Sequence, residues 1–285
     1  MSYHLYYIFF TFIALITNCK SSAAARPESR SIYKLNQPMD PRIVGGRVVD
    51  ITRYPHQISL REKDILHPEQ SYDHLCGGSI YSERIVITAA HCVDGEVPSQ
   101  FKVVPGANQR NGTEGIIIPI QEIIIHERYD PYTAVNDISL LVLAAALPLN
   151  NYTMKAIELT EKEPQHDNIA TITGWGLTTE SGAASDLLRE TKVPIVGNEI
   201  CKLRYPDMID ESMLCAGLLD VGGKDSCQMD SGGPLLVHGK LAGVVSWGFG
   251  CGDPQYPGVY ANVWSLRQWL REKIEAVEAA LWQEN

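Results

Sequence analysis

Three side chains set far apart in this chain could together break an acyl bond. Ser231 lies in the run Asp225-Ser226-Cys227-Gln228-Met229-Asp230-Ser231-Gly232-Gly233-Pro234, between an aspartate and two glycines. Glycine frees the backbone and leaves room for a substrate to approach. A serine hydroxyl is a weak nucleophile near neutrality unless a neighbouring base takes its proton. His91, in Thr88-Ala89-Ala90-His91-Cys92, offers that base, because imidazole titrates near neutrality and can take and return a proton. Asp137, in Asn136-Asp137-Ile138-Ser139-Leu140-Leu141, offers a carboxylate to hold the useful tautomer. Taken singly, a histidine is more often structural, an aspartate before an apolar run is often a cap, and a loop serine often does nothing. The framing of each residue is what favours the catalytic reading.

The elements that must bring these groups together are short strands. Segments 57–60, 78–81, 85–88, 116–125 and 138–143 are rich in β-branched residues and separated by Gly, Pro and Asn turns. Segments 169–173, 192–196, 234–237, 241–246 and 258–263 repeat the pattern. Periodicity alone implies two similar all-β halves, sandwich or barrel. From Trp264 onward the pattern turns helical: Val263, Leu266, Leu270, Ile274, Val277 and Leu281 recur at three- and four-residue intervals. That apolar face is expected to pack on the second half.

Length and composition bound the rest. The 285 residues suffice for one sizeable core, in a chain of ordinary globular composition. Residues 5–16 are apolar and are followed by small residues from Ser21 to Ala25, a pattern too short for a membrane span but suited to a secretory signal over 1–22. Residues 23–42 are polar, carry Pro27, Pro38 and Pro41, and read as a leader. Secretion is therefore expected, with no membrane anchor. Of seven cysteines, Cys19 leaves with the signal; the six that remain imply disulfides, with the pairing open. The spacings fit no zinc motif. The formal charge is −10 over the whole sequence, with five Lys/Arg in the first 42 residues, so the remainder is more acidic still. That excludes a nucleic-acid footprint.

The segments Ile43-Val44-Gly45-Gly46, Thr88 to Cys92, Asn136 to Leu141, Gly174-Trp175-Gly176, Asp230 to Pro234 and Ser246-Trp247-Gly248 occur in an order that resembles the trypsin branch of the chymotrypsin-type serine proteases over about residues 43–274. The run Gly222-Gly223-Lys224-Asp225-Ser226-Cys227 resembles digestive trypsins, those of arthropods such as mites in particular. The resemblance implies an all-β fold: two six-stranded antiparallel β-barrels with a C-terminal α-helix, in one protease domain over 43–285 whose helical tail from about 275 exceeds what the family needs. It implies a zymogen cut after Arg42, whose new ammonium at Ile43 pairs with Asp230; self-activation is open to such a chain, because Arg42 is itself a trypsin-like cut site. It pairs Cys76–Cys92, Cys201–Cys215 and Cys227–Cys251. It makes the backbone N–H groups of Met229 and Ser231 the oxyanion hole. Asp225 becomes the floor of a pocket for Arg or Lys side chains, with Ser226, Ser246, Trp247, Gly248 and Gly258 as substrate-binding residues. The expected partners are protein and peptide substrates with Arg or Lys before the scissile bond, and protein protease inhibitors, acting on a monomer without cofactor or metal. A digestive role, and allergenicity for a mite source, rest on the resemblance alone.

Two departures stand out. Family members carry Gly where this chain has Met229, which makes the oxyanion backbone costly or crowds the leaving side. The alternative function is therefore a weak or inactive homologue that binds without cleaving. The stretch between Leu60 and Cys76 is longer than a compact hairpin needs, and Arg61-Glu62-Lys63-Asp64 is expected to open a polar loop that acts with Met229 on the leaving side. The 108–115 segment has Glu114 as its only acid, too few oxygen ligands for calcium. Asn111-Gly112-Thr113 and Asn151-Tyr152-Thr153 are acceptor patterns for N-glycosylation.

Overall fold

In the computed structural model the described residues are 44–63 and 71–284. The expected signal over 1–22, the leader over 23–42, Ile43, and residues 64–70 of the lengthened loop lie outside them. A two-residue strand, β1 (Arg47–Val48), precedes the first barrel. That barrel is built from β2 (Gln57–Glu62), β3 (Asp73–Ile80), β4 (Ile85–Thr88), β5 (Phe101–Pro105), β6 (Ile118–Ile125) and β7 (Ser139–Leu143). They close in the order β2-β3-β4-β7-β6-β5.

The second barrel uses β8 (Ile169–Gly174), β9 (Arg189–Val196), β10 (Met213–Ala216), β11 (Pro234–Val237), β12 (Lys240–Trp247) and β13 (Gly258–Asn262). The order β9-β10-β13-β12-β11-β8 is closed by β8 pairing with β9, and β1 adds to β9 from outside. Both barrels are antiparallel throughout, and closure removes free strand edges. A short helix, α1 (Asn198–Arg204), lies between β9 and β10, and α2 (Arg267–Glu284) ends the chain. Three disulfides form: Cys76–Cys92, Cys201–Cys215 and Cys227–Cys251, with Cα separations of 6.3, 6.2 and 5.3 Å. Each is worth about 2–4 kcal/mol by closing a loop in the unfolded chain.

Two expectations need correction. Arg61 and Glu62 do not open a loop; they extend β2, paired with His74 and Asp73 of β3. Leu60 ends the apolar run, so sequence pattern stops there, but the ladder continues and Arg61 is 5% exposed. The helix also does more than cover the second barrel. Leu270, Ile274 and Val277 join one core with Leu236, Leu241 and Val244 of the second barrel and Ile58, Ile85 and Leu140 of the first. Trp269 stacks near His126, after β6, at 4.8 Å, and its indole donates to Glu127 at 2.7 Å; Lys273 pairs with the same Glu127. A face counted only in aliphatic residues misses Trp269 and Lys273, one turn apart, which clasp the first barrel. Val263 and Leu266 precede the helix itself. Among the described residues no helix is long and apolar enough to cross a membrane.

The barrels meet at buried polar contacts that place the site. Thr173 of β8 donates to the side chain of Gln57 of β2 at 2.6 Å, and Gly77 of β3 donates its N–H to the carbonyl of Ser231 at 2.7 Å.

Candidate active site

His91 and Asp137 come from the first barrel, from the turn after β4 and the residues just before β7. Asp137 is 1% exposed, and its charge is met by three donors. The His91 backbone N–H reaches Oδ1 at 2.9 Å, His91 Nδ1 lies 2.7 Å from Oδ2, and the Ser246 hydroxyl donates to Oδ2 at 2.5 Å. A carboxylate can only accept, so His91 Nδ1 carries a proton; Nε2, on the far side of the ring, lies 3.8 Å from Cys92 Sγ and meets no stronger partner among the described residues. A bare imidazole nitrogen oriented by a buried carboxylate is the arrangement general-base chemistry needs.

Ser246 reaches Asp137 because of a local irregularity. The pairing of β12 with β13 runs from Val245↔Tyr260 to Trp247↔Val259, so Ser246 has no partner in the register. Such a bulge re-aims one side chain and frees one stretch of backbone. The expected backbone pairing of Ser246 to Gly248 with a substrate is compatible with this, since the Ser246 hydroxyl turns onto Asp137 while the residue still lines the cleft. Only its backbone remains for the substrate.

The Ser231 turn belongs to the second barrel and is held plane by plane. Leu177 donates to the Gln228 carbonyl at 2.9 Å, Asp230 N–H to Cys227 O at 2.9 Å, Gly233 N–H to Asp230 O at 2.9 Å, and Gly232 N–H to Val245 O at 2.8 Å. Gly232 has φ +74°, and a Cβ there would strike Thr88 Oγ1 at 2.1 Å, so this turn lies directly against the segment that leads to His91. The Met229 and Ser231 amides donate to no acceptor among the described residues. Two undirected N–H groups flanking one residue are what an oxyanion needs.

Met229 itself has φ +74°, the left-handed region that favours glycine. A non-Gly residue held there costs about 1–3 kcal/mol. Met229→Gly is expected to raise kcat/KM on short arginyl substrates by no more than about threefold. On peptides extended past the scissile bond the gain should reach about tenfold, since the side chain also leaves the cleft. Steady-state assays of both substrate types check this; equal gains would mean Met229 does not shape the leaving side.

Asp225 lines a cleft of about 180 Å³ together with Ser226, Gln228, Ser231, Ser246, Trp247 and Gly248. Gly258 and the Cys227–Cys251 bridge close its walls. Asp225 is 4% exposed, and burial pushes its carboxyl up to about 7 against the pull of N–H donors from Gly252 and Ser226. Gly258 has no substitute: a Cβ there would meet Asp225 Oδ1 at 2.6 Å. Tyr260, whose hydroxyl reaches Ser226 Oγ at 3.1 Å, escaped the sequence reading because it looks like any core aromatic. Trp247, Phe249 and Tyr256 pack around the Tyr205 ring at 5.0 to 5.2 Å.

Asp230 is 1% exposed, and its oxygens accept from Gly176 N–H at 2.7 Å and Cys227 N–H at 3.0 Å. Burial pushes its carboxyl up to about 7 as well. The densest cluster of metal-type ligands among the described residues is Cys76, His91 and Cys92, whose two sulfurs are joined to each other rather than free as thiolates. The 108–115 segment is closed by protein groups. Glu114 accepts from Asn108 N–H at 2.8 Å, and the Arg61 guanidinium donates to Gly112 O at 3.1 Å. Asn151 is exposed, with φ +58°, while Asn111 Oδ1 accepts from His74 N–H at 2.9 Å.

The trypsin family profile matches residues 43–270. The chain belongs to the trypsin family. It is 51% identical over 249 residues to trypsin zeta of Drosophila erecta, which covers 85% of this chain and 87% of the relative. It is 43% identical over 242 residues to trypsin alpha-4 of Lucilia cuprina, covering 84% and 90%. It is 37% identical over 265 residues to trypsin Blo t 3 of the mite Blomia tropicalis, covering 89% and 95%. The arthropod resemblance therefore holds, with these fly trypsins at higher identity than the mite protein. Double barrel, disulfides and family membership together make the chain a trypsin-like serine endopeptidase, acting on protein substrates.

Proposed function

We propose that this chain is a secreted endopeptidase, made as a zymogen and working as a monomer, that cuts peptide bonds after Arg or Lys through an acyl-enzyme. The observation that carries the reading is a buried acid, Asp225, in the cleft that Ser231 lines. A confined carboxylate with hydroxyls beside it suits a guanidinium or ammonium and penalises an apolar group. Gly248 and Gly258 leave the shaft of the cleft free for a long side chain.

In this reading the substrate backbone pairs with the unpartnered stretch at Ser246 to Gly248 as an added strand. His91 Nε2 takes the Ser231 proton as Oγ attacks the carbonyl carbon, and Asp137 steadies the imidazolium. The Met229 and Ser231 amides hold the oxyanion. His91 then gives its proton to the leaving amine, and water repeats the sequence to release the acid.

Activation follows cleavage after Arg42. A carboxylate as buried as Asp230, with only two N–H donors among the described residues, calls for a cation, and the ammonium of Ile43 would supply one. Val44 and Gly45 support that path, since they pack beside Gly252 and against Gly223 and Lys224, next to the Asp225 loop.

The deciding experiment is to cleave the purified chain after Arg42 and assay an arginyl ester, an arginyl amide and a phenylalanyl analogue, with Ser231→Ala as control. Turnover of the arginyl substrates alone is expected. Turnover no higher than the control would favour the second reading, a binding or decoy homologue, which the positive φ of Met229 keeps in view.

The raised carboxyl of Asp225 also sets a pH dependence. A proton and a substrate cation compete for the same oxygens, so benzamidine affinity should be constant above pH 7 and fall by up to about tenfold per unit below it. Calorimetric titration from pH 5 to 8.5 measures it; a flat profile would place Asp225 outside the binding pocket. The sign for stability is opposite. A carboxyl whose folded value is raised from the usual 3.8 favours the folded state below that value, and this contribution is lost as pH rises through about 7.

A further inference from the structure

The strand that follows the Arg42–Ile43 bond is tied down by a buried carboxylate for which the reaction itself has no use. Glu190 of β9 is 3% exposed, and two guanidinium groups and a phenol converge on it. Arg47 of β1 donates to Oε1 through Nε at 2.6 Å and Nη2 at 2.5 Å, and Arg53 Nε lies 3.1 Å from Oε2. The Tyr54 hydroxyl donates to Oε2 and accepts from Arg53 Nε at 3.2 Å. Burial pushes the carboxyl up, but these partners outweigh it and hold it below its ordinary value, so it is ionised at neutral pH.

The backbone runs beside the same anchor. Arg47 pairs with Glu190 and Val48 with Arg189, and Val49 donates its N–H to Leu188 O at 2.9 Å. Arg189 donates through Nη2 to Gly46 O at 3.3 Å. On its other side β9 pairs Glu190 with Thr173 and Arg189 with Gly174 of β8. Gly174 packs directly on Asp230 Oδ1, and the Gly176 N–H donates to that oxygen at 2.7 Å. One strand therefore carries the anchor on one flank and faces the Asp230 segment on the other. Only four residues, Ile43 to Gly46, separate the cut from Arg47. Such an arm reaches at most about 14 Å.

A new N-terminus is useful only while it stays inserted. A tethered ammonium divides its time between the interior and water, and the length of chain ordered on entry sets the odds. With residues 47–49 already fixed, entry orders 43–46 alone. With that strand frayed, entry must order 43–49, and insertion weakens by the fraction of time the strand is docked. We infer that Glu190 is a positioning residue for activation: through Arg47 it holds β1 on β9 before the cut, so that Ile43 is released within reach of Asp230. The inference rests on the reading of Ile43 as the partner of Asp230.

The test uses Glu190→Gln, which keeps the volume, and Arg47→Gln, which alters a mostly exposed side chain and so spares the fold. Arg47→Lys is the conservative variant. After cleavage at Arg42 each Gln variant is expected to weaken insertion about tenfold, the size of losing a charge-assisted contact. The ammonium leaves the fold when it loses its proton, so the alkaline limb of kcat/KM on an arginyl amide reports insertion. Tenfold weaker insertion moves that limb down by about one pH unit, and Arg47→Lys should recover most of the shift. Carbamylation of the Ile43 amine by cyanate, read by intact mass, should run about tenfold faster in both Gln variants. In the uncut chain, deuterium exchange at the Val49 amide should quicken by a similar factor. A limb that stays in place while activity falls equally at every pH would overturn the inference, since damaged packing acts without regard to the amine. Native exchange at Val49 in both Gln variants would overturn it too. Absence of turnover in the cleaved native chain would instead count against the proposed function. Exchange at Val49 and the cyanate rate would then judge the anchor, and native values in both variants would sink it.

Discussion

Ser231→Ala in the activated chain is expected to lower kcat on an arginyl amide by about 10⁶, leaving only the residual rate that binding and oxyanion contacts supply. The size follows from what the variant removes. Without Oγ there is no covalent intermediate, and His91 has no proton to take. The Asp225 carboxylate, which would hold the cation, is untouched, so benzamidine affinity should change by less than about twofold. His91→Ala should cost nearly as much, and the double variant little more than either, because groups that act as one unit do not add. Losses that multiply would mean that Ser231 and His91 work separately. Trapping sharpens the case. A slow arginyl ester should leave an acyl group on Ser231 in the native chain, visible by intact mass, and none on the variant. Asp137→Asn tests the third member, since an amide can present Nδ2–H to His91 and turn the ring to the wrong tautomer. A loss of about 10⁴ is expected there.

What the sequence made legible follows the physics of each feature. His91, Asp137, Asp225 and Ser231 stand out in the sequence because each sits among distinctive neighbours, and the structure joins His91 to Asp137 and sets Asp225 and Ser231 along one cleft. β4 and β11 match the sequence reading to the residue, as each is a compact β-branched or apolar run preceded by a turn signal. β10 was not seen at all: Met213-Leu214-Cys215-Ala216 holds no β-branched residue, and only pairing with β13 and β9 makes it a strand. β5 went unmarked for a related reason, since its short run is flanked by prolines and is fixed by its neighbours β2 and β6. The inward turn of Ser246 depends on a bulge, and a bulge is a property of two strands compared, invisible in either alone. Arg61 was read as loop because a guanidinium argues for solvent. Its burial depends on Ser59 and Gly112, the latter 51 residues further along the chain. Met229 is the reverse case: the expectation of glycine there was a statement about φ, and the backbone keeps φ at +74° although the residue has changed. The fold holds the angle, and the substitution carries the cost.

Asp225→Asn is expected to lower kcat/KM on arginyl substrates by about 10³ while leaving the fold intact. Asn keeps the volume, so Gly258 and Tyr260 need not move; what disappears is the charge and one of the two acceptors that face the N–H groups of Ser226 and Gly252. An Arg side chain that enters the cleft leaves water on the strength of its pairing with this carboxylate. Removing one member of a buried pair costs about 3–5 kcal/mol, because the other is left desolvated without compensation. Divided by about 1.4 kcal/mol per factor of ten, that gives two to three and a half powers of ten. The loss should fall on both kcat and KM, since a side chain held loosely at its tip also misplaces the scissile carbonyl relative to Ser231. A phenylalanyl substrate should gain little in absolute terms, because the Ser226 and Tyr260 hydroxyls keep the floor polar. Two further readings separate charge from shape. The pH dependence of benzamidine binding below pH 7 should vanish with the carboxyl that causes it. Without ligand, the variant should melt higher than the native chain at pH 8, where the native fold must keep Asp225 ionised in a buried site, and the difference should shrink toward pH 5, where that group is protonated in the fold. A variant that loses arginyl activity yet keeps the native pH profile for benzamidine would show that the cation is gripped somewhere other than this floor.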